Sequence, residues 1–432
     1  MDLQAETTEV LKRLVRFNTV NPPGNERPAI EYLAEYVRGA GFDVELLGAA
    51  EERPNLVATL EGSDDGPSLC FLGHVDTVLA DPSEWRHDPW SGDVVDGFLW
   101  GRGALDMKSQ VAAEAVAAAA LVREGWRPAR GQLKLVFVSD EETGGDQGAL
   151  WLTENHPEKV RCDMLLNEGG GEVFEYRGQR RYGVCCGEKG LFRFKVTARG
   201  AAGHASLPRM GDNALLKLAP VLAALGERQP PYDVTDVSAA LLQGLGEDPG
   251  DPAAAVAHIR EVEPALLTLV EPMLGVTMTP TMAQASEKIN VIPSRAYLKV
   301  DCRVPPGLGR ELVARRIQEL IGSDGALEIE FTETLTGNAS PPESPLMSSI
   351  SRWVQDNDLG AETVPVILPG GSDSRWFRKA FPDCVAYGFF PQRHMTILDV
   401  GPLVHNADER IDVRDLGFAA GFYADIAREL LG

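Results

Sequence analysis

The sequence predicts an α/β fold in which a doubly wound, mostly parallel sheet carries a smaller α+β domain as an insertion. Short apolar runs bounded by turn residues, at 69–73, 133–138 and 163–167, are typical of buried parallel strands. They alternate with segments whose apolar residues recur at helical spacing, which favours helices on both faces of the sheet. The alternation stops near residue 187, where we expect the insertion to begin.

The elements of the sheet domain follow one another in a regular order. The pattern predicts helices at about 6–16 and 28–38, strands at 42–47, 55–60 and 69–73, an alanine-rich helix ending near 124, and strands at 133–138 and 163–167. After the insertion, the residues from 364 to 405 complete the sheet, and an amphipathic helix after Arg414 closes the chain.

The insertion has a different pattern. It predicts a strand from 191, a helix at 213–225, a Pro/Gly/Asp-rich excursion at 229–252, strands at 275–286 and 296–304, a helix at 310–321 and a strand at 327–332. A proline-rich stretch at 341–345 marks the return to the sheet. We therefore predict three segments, at 1–187, 188–337 and 338–432, of which the first and third form one domain.

Composition and charge narrow the class of protein. The 432 residues include 41 Lys and Arg against 64 Asp and Glu, a net charge of −23. Nucleic acids and anionic membranes attract basic surfaces, so neither is an expected partner. No apolar stretch is long enough to span a bilayer, and the acidic amino terminus does not resemble a signal peptide. Six cysteines without CxxC spacing predict buried free thiols in a reducing cytoplasm.

Ligand-type side chains recur where predicted strands end. The candidates are His74, Asp106, Glu142, Glu168 and His405. Two histidines and three carboxylates suit zinc, with cobalt or manganese as alternatives. Five ligands suffice for two ions if one carboxylate bridges them, and ions roughly 3.5–4 Å apart can hold a hydroxide and polarise a carbonyl. Neighbouring side chains of an extended segment diverge, so the adjacent Glu141 is free to act as a general base.

Five strings stand in order along the chain: HVD at 74–76, GRGALDMK at 101–108, DEETGG at 140–145, NEGG at 167–170 and HNADE at 405–409. Over essentially the whole chain they resemble the co-catalytic zinc peptidases and deacylases, a family that includes carboxypeptidase G, aminoacylase and succinyl-diaminopimelate desuccinylase. The resemblance implies a catalytic sheet domain with an inserted lid and dimerisation domain, and hence a homodimer.

The same resemblance assigns roles to the candidate ligands. It places one metal on His74, Asp106 and Glu168, and the second on Asp106, Glu142 and His405, with Asp106 as the bridge. It also implies that Asp76 braces His74 and that Glu141 is the base.

Substrate contacts are implied by looser matches. Gly203-His204-Ala205-Ser206 resembles the segment whose histidine stabilises the oxyanion, usually across the dimer, although His204 also fits an ordinary turn histidine. Asn290 and Arg303 resemble the amide and guanidinium that grip a substrate carboxylate, a task that suits the arginine fork. An ion pair between Arg303 and Asp301 is the alternative.

The stretch GGSDSR at 370–375 resembles the substrate loop of Gly-X carboxypeptidase and the N-acyl amino acid hydrolases. Gly371 and Arg375 are therefore candidate substrate contacts. A helix-capping role is the alternative for Arg375.

Together these features predict a dimeric, cytoplasmic, di-metal amide hydrolase. Its substrate is an N-acyl amino acid or a small peptide whose amine side carries a free carboxylate. The alternative enzyme is a dipeptidase or aminopeptidase of the same family. Glu168 and the 370–375 loop favour the first interpretation over this alternative. A non-catalytic binding relative is a further alternative, but it would be favoured only if Glu141 or a ligand had been lost, and none has. A metal-dependent phosphoesterase is a weaker alternative, because the sequence shows no cationic pocket for phosphate.

Overall fold

The computed structural model describes residues 2–227, 230–322 and 327–432, and the chain divides into two compact units. Unit 1 comprises Met1–Cys186, Ser340–Val366 and Ser372–Gly432. Unit 2 comprises Gly187–Ala339 and Ile367–Gly371. Residues 367–371 thus group with the insertion, whereas the sequence places them in the third segment.

Unit 1 has a main sheet with helices on both faces and a separate small sheet of three strands, which are the fourth, fifth and last in the list that follows. Its strands are β1 (Asp43–Leu47), β2 (Asn55–Glu61), β3 (Asp64–His74), β4 (Val94–Val95), β5 (Phe98–Trp100), β6 (Arg130–Val138), β7 (Met164–Asn167), β8 (Glu172–Tyr176), β9 (Gln179–Glu188), β17 (Glu362–Leu368), β18 (Val385–Gly388), β19 (Gln392–Thr396) and β20 (Arg410–Asp412). Its helices are α1 (Leu3–Val15), α2 (Arg27–Ala40), α3 (Lys108–Arg123), α4 (Ala149–Asn155), α5 (Pro157–Val160), α11 (Pro345–Asn357), α12 (Ser374–Ala380), α13 (Ile397–Val400) and α14 (Val413–Leu431).

The main sheet has the strand order β1-β2-β6-β3-β7-β18-β9-β8-β19, with β17 beside β9. Strands β6, β3, β7 and β18 run parallel at its centre. The β8–β9 hairpin is antiparallel and has no counterpart among the predicted strands. The predicted class, an α/β sheet domain with an inserted α+β domain, is confirmed.

Both faces of the central strands are buried, which explains their nearly continuous apolar sequences. Phe71 of β3 packs edge-on against Tyr423 of α14 on one face. Its neighbours Cys70 and Leu72 point to the opposite face and join a cluster with residues of α4 and α12 such as Phe377. Successive side chains of a strand point to opposite faces of the sheet, so β3 packs against helices on both faces.

Unit 2 is an α+β unit built on a sheet of order β10-β15-β11-β16, with β13 beside β15 and a separate β12–β14 pair. Its strands are β10 (Gly190–Leu191), β11 (Phe194–Arg199), β12 (Gly203–His204), β13 (Thr277–Gln284), β14 (Val291–Ile292), β15 (Arg295–Val304) and β16 (Leu327–Phe331). Its helices are α6 (Ala214–Glu227), α7 (Asp236–Leu245), α8 (Pro252–Val262), α9 (Pro264–Val270) and α10 (Arg310–Ile321), of which α6 and α10 cover the sheet.

The excursion predicted over 229–252 contains helix α7, and residue 229 itself lies outside the described residues. Thr235 and Ser238 form a capping box at the start of α7, while Leu241, Leu242 and Leu245 bury its apolar side. The sequence analysis did not predict this short amphipathic helix because the residues around it are typical of turns.

All six cysteines lie in the described residues, buried and free, as the sequence predicts. Among the described residues, no helix combines the length and the apolar character that a bilayer span requires.

Candidate active site

The predicted ligands of unit 1 come together at the carboxyl edge of its central strands. His74 is the last residue of β3, and Glu168 directly follows β7. Glu142 follows β6 in a turn, since β6 ends at Val138. These three strands are parallel neighbours, so their carboxyl ends meet at one edge, where α/β sheets carry their sites.

Asp106 lies between the two histidines. Its Oδ1 is 3.1 Å from His74 Nε2, and its Oδ2 is 2.9 Å from His405 Nε2. His405 Nε2 is also 3.2 Å from Glu142 Oε2, and His74 Nε2 is 3.7 Å from Glu168 Oε2. Each oxygen of Asp106 therefore faces a different histidine, which is the arrangement expected of a bridging carboxylate.

These side chains fit a pair of divalent cations. His74, Asp106 and Glu142 offer ligand atoms that all lie within 4.8 Å of one another, and so do His74, Glu141 and Glu168. Glu142 Oε1 is buried and has no hydrogen-bond partner in the described part of the chain. Such an oxygen is costly unless a cation or a proton satisfies it.

The protonation chemistry agrees with cation binding. Burial, followed by the charge of Asp106, raises the pKa of Glu168 to about 7. Hydrogen bonds to Asp106 and then Glu142 raise the pKa of His405 to about 10. The crowded carboxylates take up protons when no cation is present, and dications would replace those protons.

Glu141 and Glu142 diverge, although the segment is not extended as the sequence predicts. Residues Glu141–Thr143 form a single 3-10 turn. Within it, Glu141 lies with His74 and Glu168, whereas Glu142 lies with His405 and Asp106. Burial, followed by the charge of Glu168, raises the pKa of Glu141 well above its ordinary value.

Asp76 contacts His74 through both its main chain and its side chain. The Nδ1 of His74 lies 3.0 Å from the backbone carbonyl oxygen of Asp76 and 3.5 Å from its Oδ1. The Asp76 carboxylate also accepts hydrogen bonds from the backbone N–H groups of Glu141 (3.2 Å) and Glu142 (3.1 Å). Asp76 therefore orients His74 and also fixes the turn that carries the two glutamates.

Glu409 is a residue of the site that sequence reasoning missed. Its fully buried carboxylate accepts hydrogen bonds from the backbone N–H groups of Leu105 (2.7 Å) and Asp106 (3.1 Å) and pairs with Arg102 (2.7 Å). It lies four residues after His405, so it ties the Asp106 loop to the His405 loop. Its position in the HNADE string is the sequence feature that could have identified Glu409 as part of the site.

The 370–375 loop divides between the two units. Gly371 belongs to unit 2. Arg375 lies in the first turn of α12, after the N-cap Asp373, and its guanidinium stacks 5.2 Å from the Trp376 ring. Arg375 therefore does not cap the helix, and its role as a substrate contact stays a prediction.

The predicted substrate residues of unit 2 are engaged with near neighbours. His204 is exposed, and its Nδ1 lies 2.7 Å from Ser206 Oγ. The segment of Asn290 runs alongside, since its carbonyl accepts a hydrogen bond from Ala205. Arg303 donates from Nε to Asp301 Oδ1 at 2.8 Å, which is the ion pair of the alternative interpretation. The substrate roles of these residues stay predictions.

A carboxyl-edge cluster of two histidines and three carboxylates, with a further glutamate beside it, is typical of a metal-dependent hydrolase. Residues 70–429 match the model of peptidase family M20/M25/M40, and the chain belongs to this family. The chain is therefore a hydrolase of amide bonds, as the motifs predict.

Relatives and solved structures of the family cover nearly the whole chain. A succinyl-diaminopimelate desuccinylase of Cereibacter sphaeroides is 27% identical over 424 residues, covering 96% of each chain. A second, from Alkalilimnicola ehrlichii, is 28% identical and covers 99% of this chain and 100% of its own. An M20 family metallo-carboxypeptidase from Sulfolobus solfataricus superposes with a TM-score of 0.71 at 17% identity, covering 98% of both chains. Human carnosine dipeptidase 1 gives 0.68 at 15% identity over 98% and 96%.

Proposed function

We propose that the chain is a di-metal-dependent amide hydrolase that cleaves N-acyl amino acids, or small peptides, with a free carboxylate. The observation that carries the proposal is Asp106, whose two oxygens face His74 and His405 separately. A site for a single ion would not need a carboxylate shared between two histidines.

These contacts support the ligand assignment that the resemblance implies. His74, Asp106 and Glu168 would hold one ion, and Asp106, Glu142 and His405 the other. Nitrogen and oxygen donors without thiolate suit zinc, with cobalt and manganese as alternatives. Two such ions would lower the pKa of water and polarise the scissile carbonyl.

The chain's own contribution to the chemistry centres on Glu141. Its carboxylate lies beside His74 and Glu168. Burial raises its pKa well above the ordinary value of a carboxylic acid. A raised pKa makes a carboxylate a stronger base, which suits a group that must accept a proton. Glu141 would take a proton from the attacking water and return it to the leaving amine.

The names of the relatives favour an acylated amino acid as the substrate. By its name, a succinyl-diaminopimelate desuccinylase removes a succinyl group from an acylated amino acid, and relatives of this name match over nearly the whole chain. The dipeptidase or aminopeptidase alternative gains no support from human carnosine dipeptidase 1, because a match at 15% identity supports the fold alone.

A homodimer formed through unit 2 is part of the proposal. Apolar side chains are exposed on α6 and the segment before it, among them Leu207, Met210, Leu215, Leu216 and Leu222. Their side chains would be protected from water by a second copy of the chain. The predicted cytoplasmic location rests on the free cysteines and stays a prediction.

A substrate panel with defined metals tests the proposal. Protein stripped with a chelator is reloaded with zinc, cobalt or manganese and given N-acyl amino acids, matching amides without the free carboxylate, and dipeptides. We expect close to two ions per chain at full activity and preferential cleavage of the N-acyl amino acids. Full activity with one ion would contradict the bridged pair, and preferential cleavage of dipeptides would favour the alternative.

A further inference from the structure

Asp76 receives one hydrogen bond that no motif predicts. The side-chain amide of Asn21 donates from Nδ2 to Asp76 Oδ2 at 2.9 Å, and the same nitrogen lies 3.1 Å from Asp140 Oδ1. All three residues are buried, with at most 5% of their surface exposed. One amide group therefore lies between two carboxylates and supplies a donor to each of them.

The backbone places Asn21 beside Asp76. The N–H of Thr77 donates to the carbonyl of Thr19 (3.1 Å), and the N–H of Asn21 donates to the carbonyl of Thr77 (2.9 Å). Val20 and Thr77 thus form a parallel bridge between the segment after α1 and the segment after β3. The amide reaches Asp76 because these two stretches run side by side.

Asp140 extends the network away from the ligands. Its Oδ1 accepts from Thr143 Oγ1 at 2.6 Å, and its Oδ2 accepts from the N–H of Gln147 at 3.0 Å. Arg53 lies 2.9 Å from Asp140 Oδ1 and donates from Nε to Glu26 Oε2 at 3.0 Å. A buried chain of polar groups therefore links Glu26 to Asp140, and Asn21 links Asp140 to Asp76.

This network converges on the turn that carries Glu141 and Glu142. Asp76 holds the two backbone N–H groups of that turn, and Asp140, with a φ of 73°, is the residue that begins it. A buried set of charges is a costly way to stabilise a fold, because packed apolar side chains do so at least as well. We therefore expect this network to fix the position of the turn and not to add to the stability of the fold.

We propose that Asn21 is a positioning residue, which, with Arg53 behind it, holds Asp76 and the Glu141–Glu142 turn in the arrangement that binds metal. Among the described residues, the Asn21 amide donates to Asp76, Asp140 and Thr143, none of which is a proposed metal ligand. The inference rests on the proposed metal site, so its test includes one measurement that needs no metal.

The metal-free measurement is hydrogen exchange of the peptide covering residues 140–145. In Asn21→Ala, Asp76 loses a hydrogen-bond partner and the turn loosens, so exchange of this peptide should rise about tenfold or more. The matched control is Tyr182→Phe, which also removes one buried hydrogen bond to a carboxylate, that of Asp358 (2.8 Å), in another part of unit 1. The control should leave this peptide unchanged.

The second measurement is titration of the metal-free protein with cobalt, followed by its visible absorption. Asn21→Ala should weaken binding of at least one ion by about 10–100-fold, the range for partners that orient metal ligands, and lower kcat while KM stays within about twofold. Asn21→Asp should weaken it further, because it adds a third carboxylate to a buried pair. Arg53→Lys keeps the charge but not the fork, and should move both readouts less and in the same direction.

Unchanged exchange of the 140–145 peptide in Asn21→Ala would overturn the inference, and so would unchanged cobalt affinity. If the alanine variant does not fold, Arg53→Lys decides by the same two readouts. If wild-type protein binds fewer than two cobalt ions, the proposed function fails, while the exchange measurement still decides whether Asn21 holds the turn.

Discussion

The two units differ in how far their predicted residues come together. In unit 1, His74, Asp106 and His405 converge within hydrogen-bond distance although they lie far apart in the sequence. In unit 2, His204 contacts Ser206 and Arg303 contacts Asp301, each a partner two residues away. A site at a sheet edge is assembled by backbone topology, whereas contacts between residues two positions apart, as at His204 and Arg303, do not by themselves bring a site together.

We therefore expect the largest loss of activity from substitutions in the candidate site of unit 1. Glu141→Gln keeps the shape of the side chain but removes the proposed base, so the rate should fall by about 10²–10⁴-fold while metal content stays near wild type. Glu142→Gln should lose metal and activity together, with partial rescue at high metal concentration. Elemental analysis beside kinetics separates the two. Metal loss in the Glu141 variant alone would show that the roles are exchanged.

A smaller loss is expected where a residue acts through a ligand. Glu409→Gln places an amide N–H against the N–H and guanidinium donors that the carboxylate now satisfies, so the Asp106 loop should shift. Metal affinity or activity should fall by about 10–100-fold.

The neighbouring Asp408→Asn is the control, since Asp408 pairs with the exposed Arg86 and asparagine tolerates its φ of 64°. Its activity should stay near wild type. Equal losses of activity in both variants would mean that the loop is sensitive to any substitution and that the effect is not specific to Glu409.

Arg303 offers the sharpest comparison within unit 2. Arg303→Lys loses the fork and should reduce turnover of substrates with a free carboxylate by about tenfold, with little change for the matching amides. Arg193→Lys is the matched control, because Arg193 also pairs with Asp301, at 3.0 Å. If both variants lose turnover equally for both substrate types, Arg303 supports the unit and does not read the carboxylate.

The smallest effect concerns the stability of metal-free unit 1. The pKa of Glu168 is raised to about 7 by burial and then by Asp106, so the folded state keeps a proton that the unfolded state releases near pH 4.5. Stability should therefore fall as pH rises from about 4.5 to 7. Glu168→Gln should flatten part of this fall in thermal melts. An unchanged slope in the variant would show that Glu168 is not responsible, and saturating zinc should abolish the difference.

The fold class and the candidate ligands could be predicted from the sequence because both depend on local patterns. A buried parallel strand has an apolar run, and the residue after it lies at the carboxyl edge, so His74 and Glu168 could be placed without coordinates. Helix α10 was predicted over 310–321 from its spacing alone and has those bounds. The β8–β9 hairpin and α7 were missed because neither has a long periodic pattern.

By itself, the sequence determined which chemistry the protein carries: two histidines and three carboxylates in a fixed order, with Glu141 beside them. Only the tertiary structure decided what holds them. Asn21 meets Asp76 and Asp140 across 55 and 119 positions, and Glu409 meets Leu105 across 304. Such contacts leave no periodic trace in the sequence, because a hydrogen bond between distant residues depends on how the strands and loops pack, and not on spacing along the chain.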